Sequence, residues 1–536
     1  MFGLLDRRLG AGIGFQARVG DRLAAANGEA VGAGSKALFG PFDRREAAPQ
    51  VFGNPRVELV LVEPLGVEVP RFASLVALFG TAESATALRL IAVVARDDAG
   101  ELAVASTVVG QRYPSVSARC HQATRFEREI AEQCGALPEG AISLKPLRRH
   151  AADHAPVGWS TGPRDREAYS FDEVSGEEVH EVAVGPVHAG VIEPGHFRFQ
   201  AHGEEVLSLE IMLGYQHRGV ERLLETADRQ RATLIAESIA GDSVIGHASA
   251  ACGAIEALAR SRKTPRAQSI RGIALELERL ANHLGDLGAL SGDVAFHPAS
   301  AYLARLRGEC LNLLMTISGN RYGRGLIRPG GVAFDIPGEM ATEIARRVDR
   351  LREDLGPVLQ LLFDASSVQS RFEDVGVVTR EQVIASGYVG LVARSCEVAR
   401  DVRHDFAYGV FRFAQIPVAQ AWAGDVQARA LVRRLEIQRS IEFVSEQVSA
   451  LPRGALRVEC GALEPSELVV ALEEGWRGEI AHIAMTDADG RIRRHKVVDP
   501  SFHNWSALAG AMAGNLISDF PLCNKSFNLS YAGHDL

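Results

Sequence analysis

GIALELERLANHLGDLGAL, residues 272–290, decides the fold. Ile273, Leu277, Leu280, Leu284 and Leu287 recur at steps of four and three, which draws one apolar stripe along a helix. Met340, Ile344, Val348, Leu351, Leu355 and Leu359 repeat that spacing between about Glu339 and Phe363. Leaving such faces in water costs roughly 25 cal/mol per Å² of apolar surface, so the paired stripes predict a buried helical bundle.

Outward from the bundle the texture changes. VELVLVE, LRLIAVVARDD and ELAVASTVVG, between Val57 and Val109, are Val- and Leu-rich runs with a DDAG turn between the last two. They predict a small α/β domain over residues 57–150, preceded by an irregular Ala/Gly/Arg-rich region over 1–56. Residues 151–180 carry Pro, Gly, Ser and charge but few large apolar side chains, as a linker would. A large domain then runs over 181–536. It opens with β-like VAVGPVH and HFRFQAHGEEVLSLEIML, stays helix-rich to about residue 450, and returns to strand and turn character in LRVECGALE and IAHIAMTDADGRIRRHKVV. DPSFHNW, from Asp499, reads as a turn packed on the core. The fold class is α+β: a small N-terminal α/β domain and a large helical-bundle domain with peripheral β-structure.

At 536 residues and 46% hydrophobic the chain can bury large cores, and a net charge of -9 gives no reason to expect nucleic acid as a partner. Apolar runs such as SLVALFG end well short of the roughly 20 residues of a membrane helix. The start, MFGLLDRRLGAGIGFQARVGD, has no secretion-signal pattern, so a cytoplasmic location is expected. Seven cysteines, at 120, 134, 252, 310, 396, 460 and 523, form no C-x-x-C pair, which argues against a cluster held by this chain alone. No glycine-rich phosphate loop follows a strand, so NAD binding is not expected.

Several blocks, taken together and in order, resemble one family. They are GPVHAGVIEPGHFRF, LGYQHRGVERLLE, LELERLANHLGDLGALSGDVAFHP, ISGNRYGRGLIRPGGV, ARDVRHDFAYGVF, LPRGALRVE and DPSFHNWSALAGAMAGNLISDFPL. They look like successive segments of the large subunit of group 4 membrane-bound nickel–iron hydrogenase, whose fold is shared by the 49-kDa quinone-site subunit of complex I. RYPSVSARCHQATRFEREIAEQCG resembles the signature of the 30-kDa complex I subunit, and fusion of the two is the arrangement of the formate-hydrogenlyase type.

The family's metal segments read E-R-x-C-G-x-C-x-x-x-H and D-P-C-x-x-C. Laid over AESIAGDSVIGHAS and the C-terminal NLSYAGHDL, the resemblance puts Ala240, Ser243, Ser530 and Gly533 at the four cysteine positions and retains Glu237, Gly241 and His247. Nickel and iron centres of this kind need thiolates, which a methyl, a hydroxyl or a hydrogen cannot replace. No metal site is therefore expected.

The resemblance also assigns the remaining candidates. Glu237 is either a buried proton relay or a carboxylate paired with a nearby arginine. His247 lies against the centre or is a core histidine, and Asp242 is a new carboxylate between two former ligand positions. Arg453, in the PRG turn, is expected over the pocket, holding an anion or pairing with Glu237. His188 and His196 fall in the hairpin that lines the quinone chamber in complex I, although no tyrosine stands in ATLIAESIAGD to act as the family's partner residue. His217 and Arg218 are expected to face an iron–sulfur partner; Glu221 of the same block reads as part of a helix-joining ion-pair network.

Three functions follow from the resemblance. The first is an electron-transfer subunit of a membrane-associated, complex I-like oxidoreductase that couples redox chemistry to ion translocation without nickel–iron. Its cluster would sit in a 20-kDa-like partner, its acceptor would be a quinone, and antiporter-like membrane subunits would anchor it on the cytoplasmic face of the inner membrane. The second is a hydrogenase or formate hydrogenlyase large subunit, which requires the missing thiolates. The third is a non-catalytic scaffold of such a complex.

Overall fold

The computed structural model describes residues 57–59, 73–148, 154–157, 159, 169–187 and 193–536. The region over 1–56, residues 151–153, 158 and 160–168 of the expected linker, and His188 lie outside the described residues.

The N-terminal strands β1 (Val57–Leu59), β2 (Ala73–Ser84), β3 (Ala87–Arg96) and β4 (Glu101–Val109) form one sheet in the order β1-β4-β3-β2. Helix α1 (Thr124–Cys134) packs on β2, and Gly135 in the left-handed conformation ends it. After the linker come a three-stranded sheet, β5 (Val179–Val184), β6 (His196–His202) and β7 (Glu205–Met212), and the short helices α2 (Val220–Thr226) and α3 (Arg229–Ala236).

Helices α4 (Val244–Leu258), α5 (Pro265–Asp293), α6 (His297–Ser318), α7 (Gly338–Asp364) and α8 (Val426–Ser449) carry the main core. Helix α5 starts where Thr264 accepts a hydrogen bond from Ala267 N and Pro265 takes the first turn. Its five stripe residues are all fully buried, but so are Glu276, Glu278, Arg279, His283 and Asp286 on its polar side. An amphipathic reading of α5 is therefore half the answer: the helix is central, and its polar side faces other polar groups. Helix α7 keeps the expected form, with Ile344, Val348, Leu351, Leu355 and Leu359 inward and charge outward.

A last sheet, β8 (Leu468–Glu474), β9 (Glu479–Thr486) and β10 (Ile492–Val498), is antiparallel throughout. It is followed by α9 (Pro500–Ala511), α10 (Phe520–Phe527) and α11 (Tyr531–Asp535). Two local readings need correction. DPSFHNW is the start of a helix: Asp499 accepts from Ser501 N as N-cap, and Pro500 sits in the first turn. LRVECGALE makes only an isolated bridge between Arg457 and Gly331; the third strand lies further on, in β8. The N-terminal sheet also shares one core with the last sheet, since Leu90, Val104 and Phe126 cluster with Leu472, Ile483 and Phe502.

Candidate functional site

The segment after α3 and the last turns of the chain meet beneath β8–β9. Helix α4 opens at Ser243, whose side chain makes no cap; Glu278 of α5 does that work, accepting from Ile245 N at 2.7 Å and Gly246 N at 3.2 Å. Burial pushes the Glu278 carboxyl up to about 8, against the pull of those two donors. Asn282 Nδ2 and Trp476 Nε1 both donate to the Asp242 carbonyl at 2.9 Å, so the loop ahead of α4 is held from two sides.

Into this place projects Arg477. It sits in a two-residue hairpin loop, Trp476–Arg477, closed by reciprocal backbone hydrogen bonds between Gly475 and Gly478. Gly478 (φ 141°) lies against Gly390, where a Cβ would come within 2.2 Å of the Arg477 carbonyl, so both must be glycine for the loop to seat. The guanidinium stacks on Trp476 at 3.9 Å and donates to Asp242 in bidentate fashion at 2.6 and 2.8 Å. Its Nη1 is 3.4 Å from Ser243 Oγ, and its Nε donates to the Asn528 carbonyl. One arginine thus bridges the segment before α4, at 242–243, to the last turns of the chain, at 528.

A carboxylate completes the filling. A Cβ built on Gly533 would lie 2.6–2.9 Å from the carboxyl of Asp499, so the space a cysteine side chain would enter is already occupied. Asp499 Oδ2 accepts from His247 Nε2 at 2.9 Å and Oδ1 from Ser501 N at 2.7 Å; with Arg477 nearby, these contacts hold its carboxyl below the usual range despite burial. Ser530 Oγ accepts from Gly533 N as an N-cap, and Ala240 is buried. Among the described residues no group of three or more His, Cys, Asp or Glu is placed to hold a metal ion. Cys523, the nearest upstream thiol, is buried, and burial pushes it up to about 11.

The other expected residues divide. Glu237 is buried, and its Oε1 accepts from Gly325 N at 2.9 Å and from Arg328 Nη1 at 3.1 Å. Arg453 is corrected: it is exposed on the loop after α8, and Arg328, not Arg453, pairs with Glu237. His196 is partly buried at the start of β6. Its Nδ1 bonds the Gly185 carbonyl at 3.0 Å, and its Nε2 accepts from Arg198 at 3.3 Å, so both ring nitrogens are engaged.

His217 Nδ1 donates to the Asp535 carbonyl at 2.7 Å, while Arg218 donates to the carbonyls of Ser238, Ile239 and Ala532. These two therefore clamp the final helix to the segment before α4. Glu221 does join elements: it accepts from Lys496, Arg494 and Val497 N on β10 and from Gln133 on α1.

Two residues with no expected role line up behind His247. His247 Nδ1 is 3.3 Å from His482 Nε2, and His482 Nδ1 is 2.9 Å from His495 Nε2. His482 of β9 pairs with Val497 and His495 of β10 with Ala484, so the two histidines are diagonal neighbours on one sheet face.

A helical bundle flanked by small sheets holds its centre between a segment before one helix and the last turns of the chain. The chain belongs to the family of complex I 49-kDa subunits and membrane-bound hydrogenase large subunits. Residues 293–466 match the family model described as respiratory-chain NADH dehydrogenase, 49 Kd subunit. The carbon monoxide-induced hydrogenase of Rhodospirillum rubrum is 30% identical over 348 residues, covering 65% of this chain and 96% of that one. Hydrogenase-4 component G of Escherichia coli K12 is 27% identical, covering 79% and 76%. An NADH-quinone oxidoreductase subunit from Dehalococcoides mccartyi is 29% identical, covering 63% and 92%. The fold is that of a chain in the solved membrane-bound sulfane sulfur reductase, an archaeal respiratory membrane complex, with TM-score 0.63 and 24% identity over 67% of this chain and 99% of that one.

Proposed function

We propose that the chain is the large subunit of a membrane-associated oxidoreductase that couples redox chemistry to ion translocation with no nickel–iron centre. The observation that carries this reading is the Arg477–Asp242 pair joined to Asn528, with the Asp499 carboxylate standing where a side chain at Gly533 would go. A guanidinium supplies positive charge there, and two carboxylates and His247 supply protonation sites. No thiolate is in place to bind a soft metal. The hydrogenase alternative needs four.

Electrons would come from a cluster held by a 20-kDa-like iron–sulfur partner. The exposed edge of Arg218, which also grips both emptied segments, is the surface of this chain suited to face that partner. No helix among the described residues is long and apolar enough to cross a membrane. Anchoring would then fall to antiporter-like membrane subunits, with the chain on the cytoplasmic face. A quinone acceptor finds no available nitrogen at His196, so that part of the reading rests on His188.

The test is metal analysis of the complex purified from membranes, together with hydrogen-dependent dye reduction. Iron and acid-labile sulfide with only trace nickel and no hydrogen activity are expected. Stoichiometric nickel with hydrogen activity would overturn the proposal.

A further inference from the structure

Behind the filled centre lies a cleft of about 400 Å³, lined by Glu225, Asp228, Arg229, Leu463, Arg491 and His495 among others. His495 therefore touches the cleft at one end and His482 at the other. We infer that His495, His482 and His247 form a proton relay from this cleft to Asp499, a built entry path distinct from Glu237. The inference deepens the proton-coupled reading of the centre and rests on it.

Hydrogen-bond direction carries the argument. Asp499 is an ionised acceptor, so His247 must donate through Nε2–H. In the relay's resting state His247 is the neutral ring, its Nδ1 bare and accepting from His482 Nε2–H, and His482 Nδ1 accepts in turn from His495 Nε2–H. All three rings are thus the same tautomer, aligned head to tail over contacts of 2.9, 3.3 and 2.9 Å. A proton taken from cleft water on His495 Nδ1 releases Nε2–H to His482. The same exchange repeats at His482 and His247, and the last proton arrives on the Asp499 carboxylate. One proton enters and one is delivered, and each ring is left with its proton on Nδ1.

The surroundings favour passage without storage. Burial holds His482 well below its ordinary range and His495 near about 4, so neither stores charge as an imidazolium. The charged groups facing the rings are Arg477 and Asp499 at the centre and Glu221, Glu225 and Arg494 at the cleft. His154 and Arg494 hold the Glu225 carboxyl below its usual range despite burial, and its Oε2, 3.9 Å from Arg222 Nη1, is a carboxylate oxygen on the lining of the cleft. A merely structural set of core histidines would need neither a shared direction nor an end in a cleft.

The test uses the full chain labelled with 15N-histidine. Nuclear magnetic resonance should show all three residues as Nε2–H tautomers. Exchange of the His482 proton with water should slow by at least about tenfold in H495L, because the path is cut, and recover with added imidazole. H495Q, which hydrogen-bonds but cannot pass a proton through a ring, should behave alike. Unchanged or faster exchange, as expected of a simple cavity, or an Nδ1–H tautomer at His482 would overturn the relay. In the assembled complex, donor-driven turnover should fall with H495L and return with imidazole. Wild-type complex with no donor-driven turnover would overturn the redox reading and leave the relay to the exchange measurement.

Discussion

The polar side of α5 and the underside of the last sheet both bury many titratable groups, and they do so in opposite ways. Inside the bundle, Arg279, Arg394 and Arg403 interlock with Glu276, Glu436 and Asp401: Glu436 alone receives His283 at 2.6 Å and Arg394 at 2.8 Å. Its carboxyl is held well below the usual range because several cations outweigh burial. Beneath the sheet, burial holds His482 well below its ordinary range and His495 near about 4, and both are chained with His247 by single hydrogen bonds. The first arrangement fixes charge in a lattice that no single proton can leave. The second holds no permanent charge between Asp499 and the cleft, so a proton can pass. Rigidity and proton passage come from the same burial, separated by whether each group has several ionic partners or sits in a single file of hydrogen bonds.

The sharpest way to break this contrast is Glu436→Gln, which leaves three buried arginines under-compensated and should cost about 3–5 kcal/mol in chemical denaturation; a loss below about 1 kcal/mol on that scale would dissolve the lattice. Gly533→Cys should cost about 1–3 kcal/mol, because its Cβ meets the Asp499 carboxyl, and much less in an Asp499→Ala background. Additive effects in that double-mutant cycle would mean that the two do not share space.

On the acid side the sheet histidines set the sign. Their folded values lie below the unfolded one, so the unfolded chain binds protons first; their contribution is full above about pH 6.5 and is lost as pH falls towards about 4 for His495. H495L should flatten that loss in pH-dependent melting. Glu278 runs the other way. Its raised value favours the folded state at low pH, in full below about 4.5 and lost as pH rises through about 8, and Glu278→Gln should remove that decline. The smallest effect is expected at Arg453→Ala, within about 0.5 kcal/mol in the isolated chain, since the residue is exposed and Glu237 pairs elsewhere.

The apolar stripes of α5 and α7 are legible in the sequence because spacing alone marks a buried face. The burial of Glu276, Arg279 and His283 is not, since one helix does not reveal that it is surrounded. The PRG turn points to Arg453, but the arginine in the centre is Arg477, whose signal is also present: GWRG between two β-rich runs is a hairpin loop that must project both its residues. His482 and His495 are within reach as well, because the DADG turn sets the register that brings them onto one face. Their contact with His247 is not, since it depends on how α4 lies across that sheet. The four emptied positions are readable only through the resemblance. What fills them requires coordinates, because Asp499 arrives from a helix cap 34 residues before Gly533.

The proposed metal-free centre is a guanidinium–carboxylate pair, Arg477 with Asp242, between Ser243 and the last turns of the chain. Anomalous diffraction from crystals of the native complex, recorded at the nickel and iron edges, addresses it most directly. No anomalous peak is expected between Ser243 and Ser530, with continuous density from Arg477 to Asp242; a nickel peak there, with Arg477 turned away, would show a metal centre instead.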